Sequence, residues 1–212
     1  MKILMLTGAT ASALVLSLPA IAATAPAALP EPPSVTVAQA ELDQLKTAEP
    51  RPMTGYSRAR FPHWSAQGGA CNTREKVLAR EGSLVFQDGR CRPVSGSWKS
   101  AYDGRMITSA SQVDIDHVVP LANAWRSGAD GWTTEKRGEF ANDLKNSQLI
   151  AVSAASNRSK GDQSPDQWRP PLVSYWCTYA RAWTDVKFDY GLTVTDAERA
   201  ALKSMLDTCG AE

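Results

Sequence analysis

Residues 113–120 constrain the fold of this chain more than any other segment. Most of their apolar side chains are β-branched, which favours a buried strand, and Pro120 removes the backbone donor that would continue it. Alternation along a strand places Asp114 and Asp116 on one face and His117 on the other. The chain has only two histidines, so a strand that joins one of them to two carboxylates is a strong candidate for the chemical centre.

The first 52 residues differ in composition from the rest. Residues 1–23 combine a basic start, an apolar stretch and a small-residue cleavage pattern, which is typical of a secretory signal peptide; an uncleaved anchor is the alternative. Residues 24–52 are rich in Ala and Pro and predict an extended, poorly ordered linker, with a short helical patch at 38–45. Residues 53–212 suffice for one domain. We therefore predict a secreted protein with no membrane association after signal cleavage.

Four cysteines remain after export, at Cys71, Cys91, Cys177 and Cys209. An even number in an exported chain predicts two disulfides. Three pairings are open, and we favour Cys71–Cys91 with Cys177–Cys209 because each bond joins neighbouring elements. A zinc site is the alternative, although the chain lacks the Cys-x-x-Cys spacing that usually marks one.

Capping and turn signals divide the domain into short elements. Asn72 and Glu75 form a capping box, and Asp88-Gly89 is typical of a hairpin turn. A strand, two helices, a strand and a short helix then follow at residues 113–119, 121–126, 133–143, 147–153 and 154–160. The order predicts an α+β fold with a small antiparallel sheet.

A final pair of helices completes the predicted domain, with a second capping box at residues 195–198. The first of the two carries apolar residues at helical spacing, which indicates core packing rather than a platform for stacked bases. The stripe consists of Leu172, Trp176, Tyr179, Trp183 and Val186.

Charge is unevenly distributed along the chain. The formal net charge is +1, yet residues 51–105 contain ten Lys and Arg and four Asp and Glu. A cationic region of this kind suits a phosphate backbone, and a solvated cationic surface explains the same pattern.

Hydrolysis of a phosphodiester requires a base that deprotonates the attacking water. It also requires positive charge that shields the phosphate and stabilises the departing oxygen. A neutral imidazole such as His117 serves as the base, and a divalent ion supplies the charge. Asn157, on the predicted short helix, offers a neutral oxygen that suits a hard cation. Because Asp116 and His117 are adjacent, a twist or bulge must bring them together.

The segments DIDHVVPL, FAND, NRSKGD and QWRPP resemble the HNH, or His-Me finger (ββα-metal), nucleases. They are most similar to secreted bacterial members related to the C-terminal nuclease domain of modification-dependent restriction enzymes. The similarity covers residues 70–205, and its sharp motifs lie in 114–171. It implies a ββα-metal core with added helices.

The resemblance implies a role for each matched residue. His117 is the general base, and Asp116 and Asn157 are the metal ligands. Asn146 resembles the asparagine that clamps the loop between the strands and orients the base. The ion is Mg²⁺, with Mn²⁺ or Ca²⁺ as alternatives, because the helix carries no histidine.

Further roles follow from the same resemblance. Lys160 is expected to contact phosphate, with Arg158 and Arg126 as additional contacts, and Asp114 is expected to support the ligands from behind. The 40 positions between Asp116 and Asn157 exceed the compact finger, so the register of Asn146 as the clamp asparagine stays open.

These observations predict a monomeric endonuclease that hydrolyses DNA, with RNA as a second substrate, at little sequence specificity. Two hypotheses remain beside it: an exported nucleic-acid-binding or envelope-associated protein that lacks turnover, and a phosphodiesterase for small substrates. A lone histidine in an apolar strand is more often a core residue, but its neighbour Asp116 and the downstream motifs favour catalysis for His117. His63, before the predicted core, is expected at the surface.

Overall fold

The computed structural model describes residues 30–210, so the predicted signal peptide lies outside the described residues. The helices and strands follow one another as α1 (Val35–Gln44), α2 (Thr73–Glu81), β1 (Gly82–Gln87), β2 (Pro93–Lys99), β3 (Met106–Ile107), β4 (Val113–His117), α3 (Leu121–Arg126), α4 (Thr134–Ala141), β5 (Leu149–Ser153), α5 (Ala154–Lys160), α6 (Trp176–Tyr190) and α7 (Asp196–Leu206). The α+β prediction is confirmed.

Strands β4 and β5 form an antiparallel pair, and α5 follows β5 without a loop. In the register, Asp116 lies opposite Ile150 and His117 opposite Leu149. The hydroxyl of Ser153 caps α5, which lets the helix begin directly at the end of the strand. This ββα unit has the element order that the sequence predicts, with helices α3 and α4 inserted between its strands.

The second sheet has three antiparallel strands in the order β1-β2-β3. Helix α2 joins it to the β4–β5 pair through a small core in which Val77, Leu78 and Trp98 are buried. The indole of Trp98 donates to the carbonyl of Leu78 at 2.8 Å, so a large core side chain leaves no polar atom unpaired. The capping box at the start of α2 is present as predicted.

A larger core lies between α1, α6 and α7. Tyr179, Trp183 and Val186 of the predicted apolar stripe are fully buried in it, whereas Leu172 precedes α6. The cysteines form the two favoured disulfides, Cys71–Cys91 and Cys177–Cys209, each with a Cα–Cα distance of 5.0 Å. The described cysteines are therefore bridged rather than available to zinc.

The segment 30–52 differs from the extended linker that its composition predicts. Helix α1 lies within it and buries Ala38 and Leu42 against α6 and α7. The guanidinium of Arg199 in α7 donates to the carbonyls of Leu42 and Leu45. The helical patch predicted at 38–45 corresponds to α1, whereas the extended, poorly ordered form predicted for the rest does not describe this docked segment, which apolar contacts and Arg199 hold against the core.

No helix within residues 30–210 combines the length and the apolar character that a bilayer crossing requires.

Candidate functional site

The end of β4, the start of α3 and the end of α5 border an open cavity of about 220 Å³, which we call the site cavity. Asp116, His117 and Asn157 all line it, so three residues predicted to carry chemistry share one cavity. Tyr56 and Arg58, from the segment before α2, line it as well. The direct connection of β5 to α5 brings the helix alongside β4 and so makes this convergence possible.

Asp116 is 5% exposed and uses one of its two oxygens inside the protein. Its Oδ2 accepts from the hydroxyl of Tyr102 at 2.6 Å and lies 2.8 Å from the ammonium of Lys160. Its Oδ1 accepts no hydrogen bond from the described residues and is not fully buried. Because Asp116 lines the site cavity, this oxygen is open to the cavity. Burial raises the pKa of Asp116, and the charge of Lys160 opposes that rise.

Lys160 is completely buried, and it does not line the site cavity. Its ammonium pairs with Asp116 and also donates to the backbone carbonyl of His117 at 2.9 Å. Positions 157 and 160 share the face of α5 that packs on β4, which draws the lysine inward. In this structure the Lys160 side chain holds two consecutive residues of β4 in place, and its contact with a phosphate stays a prediction.

His117 points to the opposite face of β4 from Asp116, as strand alternation requires. Its Nε2 lies 3.0 Å from the carbonyl oxygen of Ala141, and its ring packs against the indole of Trp64. Because a carbonyl only accepts, Nε2 carries the proton and Nδ1 carries the lone pair. Burial lowers the pKa of His117 to about 3, so the imidazole is neutral at pH 7.

Asn157 is held by Asp114, one of the two carboxylates on the face of β4 that α5 packs against. The amide Nδ2 donates to Asp114 Oδ2 at 3.1 Å. A carboxylate only accepts hydrogen bonds, so Nδ2 must face it and Oδ1 of Asn157 is left free for another partner. This contact agrees with the supporting position predicted for Asp114.

A different asparagine from the predicted one clamps the loop beside His117. Asn142 accepts from the amide of Ser65 and donates to the carbonyl of Pro62, at 2.8 and 2.7 Å. It directly follows Ala141, whose carbonyl orients the imidazole. Asn146 instead bonds Asp143 and does not line the site cavity, so the clamping role predicted for it stays a prediction that this geometry does not support.

A second clamp acts on the chain just after His117. The side chain of Gln148 accepts from the amide of Val119 and donates to its carbonyl, at 3.0 and 2.9 Å. Both Gln148 and Val119 are buried. The two side-chain hydrogen bonds therefore satisfy the backbone groups of Val119 beyond His117–Leu149, the last paired residues of β4 and β5. Neither clamp was predicted from the sequence, although Asn142 lies inside the FAND motif that was matched to the nuclease family.

The predicted arginine contacts lie outside the site cavity. Arg126 pairs with Asp162 at 2.6 Å and lines a neighbouring cavity of about 500 Å³. Arg158 is exposed and lines a separate groove. The cation that lines the site cavity is the exposed Arg58, which the sequence analysis counted only within the cationic region.

The donors that line the cavity fit a hard divalent ion. Within residues 30–210 no three His, Cys, Asp or Glu residues cluster as a metal site would require. Mg²⁺, however, is usually held by one or two carboxylates and completes its shell with water and substrate phosphate oxygens. The open Oδ1 of Asp116 and the amide oxygen of Asn157 are donors of that kind.

Comparison with known proteins agrees with the resemblance seen in the motifs. The sequence profile of the GmrSD restriction endonucleases, C-terminal domain, matches residues 80–205, which include the whole ββα unit. A protein of Arthroderma benhamiae named "Uncharacterized secreted protein" is 57% identical over 187 residues, covering 87% of this chain and 92% of that protein. No solved structure matches the chain. The match over more than half of its length indicates a nuclease-like function and shows that this chain belongs to the family of the GmrSD restriction endonuclease C-terminal domain.

Proposed function

We propose that this protein is a secreted, metal-dependent endonuclease that hydrolyses DNA with little sequence specificity; RNA is the alternative substrate. The observation that carries the proposal is that Asp116, His117 and Asn157 share one open cavity with an exposed arginine, Arg58. Secretion is supported by the signal pattern in residues 1–23 and by the name of the similar protein from Arthroderma benhamiae. The monomeric state stays a prediction.

The residues of the chain divide the work between them. Nδ1 of the neutral His117 accepts a proton from the attacking water, and the carbonyl of Ala141 holds the ring in the required tautomer. Arg58 offers positive charge to the phosphate, and an anion bound there stabilises the protonated imidazole. Asp116 and Asn157 would hold the divalent ion, which when bound offsets charge on the phosphate and on the departing 3′ oxygen.

The test is plasmid cleavage by the purified mature chain with Mg²⁺, with and without EDTA. We expect EDTA to stop cleavage and His117→Ala to abolish it while the melting curve remains cooperative. His63→Ala is the matched control, because it removes the other histidine, whose ring bonds the carbonyl of Phe61. An unnicked plasmid with every divalent metal tried would instead favour a non-catalytic nucleic-acid-binding protein.

A further inference from the structure

A second groove, of about 270 Å³, lies against a different face of α5 from the site cavity. We call it the arginine groove, because Arg105 and Arg158 line it together with Ser111, Gln112 and Ala155. Helix α5 separates the two features, since Asn157 lines the site cavity and its neighbour Arg158 lines the groove.

The residues that line the groove carry positive charge and no negative charge. Arg105 and Arg158 are exposed, and neither guanidinium has an ion pair or hydrogen bond to another described residue. No Asp or Glu lines the groove. The carboxylate of Asp103 lies beside the groove but does not line it: its Oδ2 accepts from the hydroxyls of Ser153 and Ser156 at 2.5 and 2.8 Å, and its Oδ1 accepts from the backbone amide of Arg105 at 3.2 Å. Two free guanidinium groups beside neutral donors suit phosphate oxygens.

The width of a helix sets the scale of the separation between the two features, because α5 lies between them. A helix with its side chains is about 10–12 Å across. Successive nucleotides of a strand rise about 3.4 Å. A strand whose phosphate occupies the site cavity therefore reaches the arginine groove about three nucleotides away.

We propose that the arginine groove binds the backbone phosphates of the substrate strand about three nucleotides from the scissile bond. The inference rests on the proposed nuclease function and names a substrate-binding surface outside the site cavity. Because guanidinium groups that contact phosphate carry no information about the bases, the groove adds affinity without sequence preference.

The first test measures binding without cleavage. Affinity for a fluorescent DNA duplex is followed by anisotropy in EDTA between about 50 and 200 mM salt. We expect Arg105→Gln/Arg158→Gln to weaken binding about tenfold and to reduce the slope of log affinity against log salt by about 2. The control is Lys46→Gln/Lys203→Gln, which removes the same formal charge from exposed positions outside both features. An unchanged slope in the arginine variant, or an equal change in the lysine variant, overturns the proposal.

The second test separates binding from chemistry. We expect the arginine variant to raise KM for long DNA about tenfold at unchanged kcat, and to hydrolyse bis(p-nitrophenyl) phosphate at the wild-type rate, because that small diester does not reach the groove. A fall in kcat on both substrates overturns the proposal. Wild-type protein inactive on both substrates would refute the proposed function, while the salt dependence of DNA binding still decides the role of the groove. Loss of binding to phosphatidylglycerol vesicles at unchanged DNA affinity would make the groove a membrane contact and refute it.

Discussion

Two lysines of this protein are completely buried, each against a carboxylate and each near the same indole ring. Lys160 lies 2.8 Å from Asp116, and Lys187 lies 2.6 Å from Glu198. The ring of Trp183 has its centroid 5.9 Å from the first ammonium and 5.7 Å from the second. The two pairs therefore share chemistry and surroundings, which makes their difference informative.

The pairs differ in what the carboxylate has left to offer. Glu198 uses both oxygens: Oε1 accepts from Trp183 and Lys187, and Oε2 accepts from the amide of Thr195. Asp116 keeps Oδ1 open to the site cavity. The Glu198 pair has no oxygen left for a ligand, whereas the open oxygen of Asp116 is the one that we propose as a metal donor.

The largest effect on the free energy of unfolding is expected from replacing only the lysine of either pair. Lys187→Met and Lys160→Met each leave a carboxylate buried without its partner, which costs about 3–5 kcal/mol of unfolding free energy. Water reaches Asp116 through the site cavity, so we expect the smaller loss for Lys160→Met. Magnesium should restore stability only to Lys160→Met, because a ligand that binds the native state stabilises it. Guanidinium denaturation with and without Mg²⁺ measures both effects, and recovery of Lys187→Met would contradict the assignment.

Replacing both charged side chains of a pair with neutral ones should show whether that pair contributes to activity. Asp116→Asn/Lys160→Met removes a proposed ligand, and we expect DNA cleavage to fall by more than the ~10–100-fold typical of groups that only support a ligand. Glu198→Gln/Lys187→Met is the matched variant and should stay within a few-fold of wild type. The measurement is kcat/KM at equal folded fraction. Similar losses in the two variants would remove the distinction between the pairs.

The pH dependence of stability tests the imidazole that adjoins only one of the pairs. Burial lowers the pKa of His117 to about 3, below the 6.5 of an exposed imidazole, so the unfolded chain binds more protons between these values. The free energy of unfolding should therefore fall as pH drops below 6.5, by about 2 kcal/mol at pH 5. His117→Gln should lose this component. Urea denaturation of both proteins at pH 8 and pH 5 measures the change in unfolding free energy between the two pH values. An equal change in the wild type and in His117→Gln would show that burial does not lower the pKa of this imidazole.

The smallest effect is expected from the hydroxyl of Tyr102, which donates to Asp116 from within the core. Tyr102→Phe leaves the Lys160 pair intact and should cost about 1.5 kcal/mol. Because Oδ1 is untouched, the Mg²⁺ concentration for half-maximal cleavage should stay close to that of wild type. A large rise in that concentration would mean that both oxygens of Asp116 face the ligand.

The sequence by itself determined the order of the elements, the capping boxes and the disulfide pairs. The caps and the strands depend on residues close together in the chain, since a cap acts over three positions and strand alternation over two. The disulfides join neighbouring elements, 20 and 32 positions apart, and were favoured among three possible pairings. The pairing of β4 with β5 joins segments more than 30 residues apart, and it was expected from the resemblance to ββα-metal nucleases. The shared position of Asp116, His117 and Asn157 followed from that pairing.

Only the tertiary structure decided what each polar side chain faces. Lys160 turns inward to Asp116, Asn142 takes the clamping position expected of Asn146, and Arg58 reaches the cavity from a segment nearly 60 residues earlier in the chain. Helix α1 likewise joins the core through contacts with α6 and α7. A buried polar group must find a partner, and that partner depends on which distant elements pack beside it. Residue type and spacing specify the chemistry that a chain has available, whereas packing determines where each group is used.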